Sequence, residues 1–118
     1  MKKSFLLAAV FAVCLFASCR MALAHAILVA STPKVHGTVH GPGVDVDLKF
    51  NSRVDATRSH LVLIAPDGKS QPLALSKQAA PQTLSTHANL KPGAYTLRWQ
   101  ALSADGHITR GEIPFTVE

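Results

Sequence analysis

Residues 44–50 read Val44-Asp45-Val46-Asp47-Leu48-Lys49-Phe50, with apolar and polar side chains alternating without a break. Successive side chains of an extended backbone leave opposite faces. A period of two therefore puts Val44, Val46, Leu48 and Phe50 on one inward face and leaves two aspartates and a lysine in water. The segment is read as a half-buried strand.

The same signal recurs downstream. Residues 94–101 place Tyr95, Leu97 and Trp99 on one side and Thr96, Arg98 and Gln100 on the other. Ile113, Phe115 and Val117 supply the inward face of a last strand. Residues 60–65 are a short apolar run closed by the turn Pro66-Asp67-Gly68. Residues 83–88 form a weaker strand. No segment carries a convincing 3.6-residue apolar stripe, and there is neither an internal repeat nor a low-complexity tract. Short strands punctuated by Pro and Gly turns predict an all-β antiparallel sandwich. Leu90-Lys91-Pro92-Gly93-Ala94-Tyr95 resembles the corner of immunoglobulin-like sandwiches, where a Tyr hydroxyl bonds back to the preceding loop. Trp99 is expected at the centre of the core, and both Tyr95 and Trp99 are read as packing residues.

The chain ahead of these strands has a different character. Met1-Lys2-Lys3 is positive, residues 5–18 are uncharged and mostly apolar, and Ala22-Leu23-Ala24 is a small–x–small site. That is the three-part pattern of a secretory signal peptide. The apolar run falls short of the roughly 20 residues that a membrane span needs, and Arg20 follows it. An uncleaved anchor is the first alternative. A lipobox is the second: Phe16-Ala17-Ser18-Cys19 would make Cys19 the lipidated N-terminus and leave His25 internal, although Phe stands where Leu is usual. Cleavage after Ala24 divides the chain into a leader, residues 1–24, and one small domain, residues 25–118.

Processing changes the composition. Cys14, Cys19, Met1 and Met21 all leave with the leader, so the mature chain has no thiol, thioether or disulfide. Lys2, Lys3 and Arg20 leave as well, so nine Lys and Arg face seven Asp and Glu. That balance, without a basic run, argues against nucleic-acid binding. Export implies an oxidising compartment, yet the fold must rely on its core alone. All six histidines remain.

A histidine at a free terminus is unlike an internal one. The α-amine and ring Nδ1 of His25 can close one chelate ring on a metal, giving two nitrogen ligands from one residue. Nitrogen donors suit the later first-row metals, among which Cu(II) binds most strongly. A second feature is Asp105-Gly106-His107. On an extended backbone, Asp105 and His107 would leave the same face, with no Gly106 side chain between them. Asp-Gly is equally an ordinary turn. With His25, these residues would offer three nitrogens and one oxygen, a set that suits a tetragonal Cu(II) ion.

Several stretches together resemble the CopC/PcoC family of periplasmic copper-binding proteins. They are His25-Ala26-x-Leu28 with Ser31-x-Pro33, Leu90-x-Pro92-Gly93-x-Tyr95-Thr96-x-x-Trp99, and Ser103-Ala104-Asp105-Gly106-His107 with Gly111 and Phe115-Thr116-Val117. The resemblance spans essentially the whole mature chain. It implies a small Greek-key, immunoglobulin-like β-sandwich of cupredoxin-like type. It implies one Cu(II) per mature chain, held by His25, Asp105 and His107, with no enzymatic activity and no membrane span after processing. It also implies a periplasmic location and a CopD-type inner-membrane copper transport protein as partner.

The departures from the family carry information too. Some relatives hold Cu(I) in a Met-rich loop, whereas residues 75–81 read Leu-Ser-Lys-Gln-Ala-Ala-Pro. Thioethers select Cu(I), so no Cu(I) site is expected. Many relatives read F-S-E at the end of the early strand. Here the chain reads Phe50-Asn51-Ser52, and no additional carboxylate is expected beside the metal.

Four histidines fall outside these motifs. His36 and His40 lie in the Gly-flanked stretch Lys-Val-His-Gly-Thr-Val-His-Gly, read as a surface loop with auxiliary metal capture as the alternative. His60 begins a strand and His87 ends one, both read as solvent-facing or structurally satisfied. Two other functions are compatible with parts of the pattern. An N-terminal His plus a second His also suits a small copper-dependent monooxygenase. The short chain offers few aromatics for a substrate platform, however, and Asp105 would fill a position that oxygen chemistry needs open. A sandwich accessory module without metal is the third possibility. Nothing resembles a nucleophile–His–acid constellation or a phosphate loop.

Overall fold

The computed structural model describes residues 25–118; the leader expected over residues 1–24, with both cysteines and both processing sites, lies outside the described residues. The described chain forms β1 (Leu28–Thr32), β2 (Gly37–Val39), β3 (Gly43–Phe50), a 3-10 turn (Ala56–Arg58), β4 (His60–Ile64), β5 (Ser70–Leu73), β6 (Thr83–Asn89), β7 (Gly93–Leu102) and β8 (Ile108–Val117). The strands build two sheets, ordered β1-β3-β6 and β2-β8-β7-β4-β5. After β1, β2, β3, β5 and β6 the chain changes sheet, so β6 returns to β3 and β7 returns to β4. This is the expected Greek-key, immunoglobulin-like β-sandwich.

The period-two alternation of residues 44–50 is present in the structure. In β3, Val44, Val46, Leu48 and Phe50 are buried while the residues between them are exposed. Facing them are Leu61 and Leu63 of β4, Leu97, Trp99 and Ala101 of β7, and Ile113, Phe115 and Val117 of β8. Each fully buried Leu or Phe contributes about 1.5–3 kcal/mol. Phe50 and Trp99 join the two sheets edge to face, with ring centroids 5.3 Å apart. Trp99 pairs across the ladder with Gly111, where a Cβ would sit 2.5 Å from the indole ring. Glycine is required there because the ring occupies the space of a side chain.

The corner expected at Tyr95 is present. Its hydroxyl donates to the Lys91 carbonyl at 2.8 Å, and its ring stacks on Phe115. Tyr95→Phe keeps the stack and removes the bond, so it should lower unfolding free energy by about 1 kcal/mol, the usual net worth of such a bond. Urea denaturation checks this; an unchanged midpoint would mean that the hydroxyl is only accommodated.

Three strands were not anticipated, each for a physical reason. β1 is an edge strand whose ladder slips between Leu28 and Ala30, so its apolar pattern is irregular. β5 contains Pro72, tolerated because this strand too lies on an edge. β2 turns part of the loop expected around His36 and His40 into three residues that pair parallel with the end of β8. Among the described residues, no helix is long and apolar enough to cross a membrane.

Candidate metal centre

His25 precedes β1, and its neighbours hold it against the sandwich. Ala26 is fully buried in the core. The Thr109 hydroxyl of β8 donates to the Ala26 carbonyl at 2.9 Å. One residue further on, the Ile27 N–H donates to Asn51 Oδ1 at 2.8 Å, and the Asn51 N–H donates to the Ile27 carbonyl at 2.9 Å.

Asp105 and His107 come from the connection between β7 and β8. An extended backbone was one route to a shared face, but the chain takes the other. Residues 103–106 turn: the Gly106 N–H donates to the Ser103 carbonyl at 3.0 Å, and Gly106 has a φ of 86°. That left-handed conformation favours glycine, so Gly106 matters for its backbone freedom. The Ser103 N–H donates to the His107 carbonyl at 2.9 Å, closing the loop at its base.

Inside this turn the Asp105 carboxylate is densely solvated by protein. The Ser103 hydroxyl bonds Oδ1. The His107 N–H donates to Oδ1 at 3.1 Å, and His107 Nδ1 lies 2.7 Å from Oδ2. With its proton on Nδ1, His107 donates to the carboxylate and keeps a lone pair on Nε2. The Ser103 bond, opposed by partial desolvation and helped by His107, lowers the Asp105 pKa from 3.8 to about 2. A lowered folded pKa means that the carboxylate's contribution to stability is complete above 3.8 and is lost as pH falls through about 2. In the metal-free protein, the Asp105 carboxyl resonance should titrate near pH 2, and Ser103→Ala should move its midpoint upward. An unmoved midpoint would remove Ser103 from this role.

The structure brings all three sequence candidates together. The rings of His25 and His107 meet edge to face with centroids 4.5 Å apart. One potential ligand atom from each of His25, Asp105 and His107 lies within 4.8 Å of the others, at the protein surface. Among the described residues, His36, His40, His60 and His87 join no such cluster. His36 and His40 flank β2 at opposite ends and are exposed. His60 is exposed at the start of β4. His87 has a structural partner, with Nδ1 2.7 Å from Asp45 Oδ1 on the neighbouring strand.

Three supporting residues escaped the sequence reading. Ser103 stood inside the Ser-Ala-Asp-Gly-His motif, and its hydroxyl two residues before Asp105 was a usable signal. Asn51 was noticed only as a departure from F-S-E. Thr109 had no local signal, because its partner Ala26 is 83 positions away.

Fold and cluster together define a class: a small two-sheet sandwich with an exposed imidazole–carboxylate centre where β7 and β8 connect. Residues 28–118 match the CopC domain, and the chain belongs to the CopC family. Protein YobA of Escherichia coli (strain K12) is 31% identical over 99 residues, covering 80% of each chain. Among solved structures, CopC from Methylosinus trichosporium OB3b matches with a TM-score of 0.72 and 31% identity, over 80% of this chain and 94% of that one. PcoC, a methionine-rich copper resistance protein from Escherichia coli, matches with a TM-score of 0.65 and 26% identity, over 80% of this chain and 100% of that one.

Proposed function

We propose that the protein is a periplasmic Cu(II)-binding protein of copper homeostasis and resistance, holding one ion per processed chain through His25, Asp105 and His107. The observation that carries this reading is the convergence of these three residues, with donor atoms within 4.8 Å, in a chain of the CopC family. Family membership makes it a binding protein rather than an enzyme, and the monooxygenase alternative is set aside. The donor chemistry fits copper. Two imidazoles, a carboxylate and, after cleavage behind Ala24, the α-amine of His25 make a nitrogen-rich set with one oxygen, which favours Cu(II) over Zn(II) and Ni(II). The fourth donor exists only if residues 1–24 are removed as a signal peptide; lipidation at Cys19 would leave an amide in its place. No sulfur ligand remains for Cu(I), in contrast to the methionine-rich relative.

In this reading the exposed site exchanges its ion with other proteins, and a CopD-type membrane transporter is the proposed acceptor. Competition against a chromophoric chelator tests the core of the proposal. It should give one Cu(II) per processed chain at nanomolar or tighter affinity, with Zn(II) and Ni(II) weaker. Ascorbate followed by a Cu(I) chelator should strip the metal. Equal affinity for Zn(II) and Cu(II) would overturn the copper assignment.

A further inference from the structure

We propose that Asn51 and Thr109 form a clamp that positions the N-terminal chelate, making them affinity-determining positioning residues outside the ligand set. The proposal rests on the copper reading above and adds residues to it.

A terminal residue ahead of an edge strand is free to swing, and a chelate made from its amine and ring would lose that freedom on each binding event. Fixing one residue's backbone costs roughly 1–2 kcal/mol. In this chain most of that ordering is already done. Ala26 is fully buried. Its carbonyl accepts from Thr109, two residues beyond His107 on the strand that follows the ligand turn. The next residue, Ile27, exchanges two hydrogen bonds with Asn51, one to the side-chain oxygen and one from the backbone N–H. The β1–β3 ladder has its last pair, beyond the slip, at Leu28 and Phe50, and Asn51 extends it by one step with a side chain in the role of a backbone acceptor. Behind His25, therefore, both following residues are tied, one to β8 and one to the end of β3. The His25 ring already rests 4.5 Å from the His107 ring.

The clamp makes a prediction that a general packing role does not. Its benefit is greatest when the terminal amine is a ligand, because both donors of His25 then hang from the tied backbone. Thr109→Val removes the hydroxyl at nearly constant volume, and Asn51→Leu removes the acceptor at similar size. On the chain processed to His25, each should weaken Cu(II) binding by about 10- to 100-fold, the range for groups that orient metal ligands. Thr109→Ser, which keeps the donor, and Asn51→Asp, which keeps the acceptor, should restore most of the affinity. On a chain with one Gly placed before His25, where the amine is already an amide, the same substitutions should change affinity by less than about threefold. Chelator competition reads the affinities, and spin resonance shows whether the amine nitrogen remains bound. Unchanged affinity in Thr109→Val and Asn51→Leu would overturn the clamp, as would the same fold-loss in the processed and Gly-extended chains. Failure of the unsubstituted processed chain to bind copper would instead overturn the copper reading, so the two failures are distinguishable.

Discussion

Placing one Gly before His25 should weaken Cu(II) binding by more than about 100-fold, because it removes a ligand outright while loss of an orienting group alone costs 10- to 100-fold. The extension leaves the His25 ring, Asp105 and His107 in place. It changes one atom's chemistry: the α-amine becomes an amide nitrogen, a poor ligand without deprotonation. An ordinary three-side-chain site would barely respond. The fold should not respond either, since Ala26 remains the first buried residue and its bond to Thr109 is untouched. Chelator competition on the two chains, with circular dichroism as a control, gives the comparison. Equal affinities would show that His25 acts through its ring alone.

The second large effect concerns the sandwich. Phe50→Ala should destabilise the metal-free protein by about 3–5 kcal/mol, the range for a buried aromatic truncated to Ala. Phe50 is 1% exposed and meets Trp99 edge to face between the sheets. Against a total of about 5–15 kcal/mol for a small domain, this leaves a marginal fold. Copper should rescue it. The site's side chains come from the N-terminus and the β7–β8 turn, and a ligand that binds only the native state at 1,000 times its Kd adds about 4 kcal/mol. Urea unfolding of Phe50→Ala with and without Cu(II) should therefore show a collapsed metal-free midpoint and a large copper-dependent gain. A loss under about 1 kcal/mol would contradict the place of Phe50 in the core.

Legibility in the sequence followed a physical divide. β3, β7 and the end of β8 were readable because each has one buried and one wet face, and burial writes a period of two into the chain. β1, β2 and β5 are edge or three-residue strands with little to bury, so nothing in their composition had to alternate. His25, Asp105 and His107 were legible as chemistry: a terminal chelate and a carboxylate–imidazole pair need no long-range information to be suspected. Their meeting was another matter. It depends on the turn at Gly106, which the residues allowed without requiring, and on contacts such as Thr109 with Ala26 that join opposite ends of the chain. Asn51 shows the same limit. Its departure from the family pattern was visible, but its pairing with Ile27 becomes visible only once β1 lies beside β3.

Electron paramagnetic resonance of the processed chain carrying one equivalent of Cu(II), beside its His107→Ala and Asp105→Ala variants, tests the three-residue centre most directly. The expected spectrum of the unsubstituted protein is that of a tetragonal ion with three nitrogens and one oxygen. His107→Ala should lose a nitrogen and shift toward a more oxygen-rich pattern, whereas Asp105→Ala should keep the nitrogen hyperfine structure and lose affinity. Both variants should retain the sandwich, since neither residue lies in the buried alternation of the strands. Identical copper spectra from all three proteins would contradict the assignment and reduce residues 103–107 to a turn.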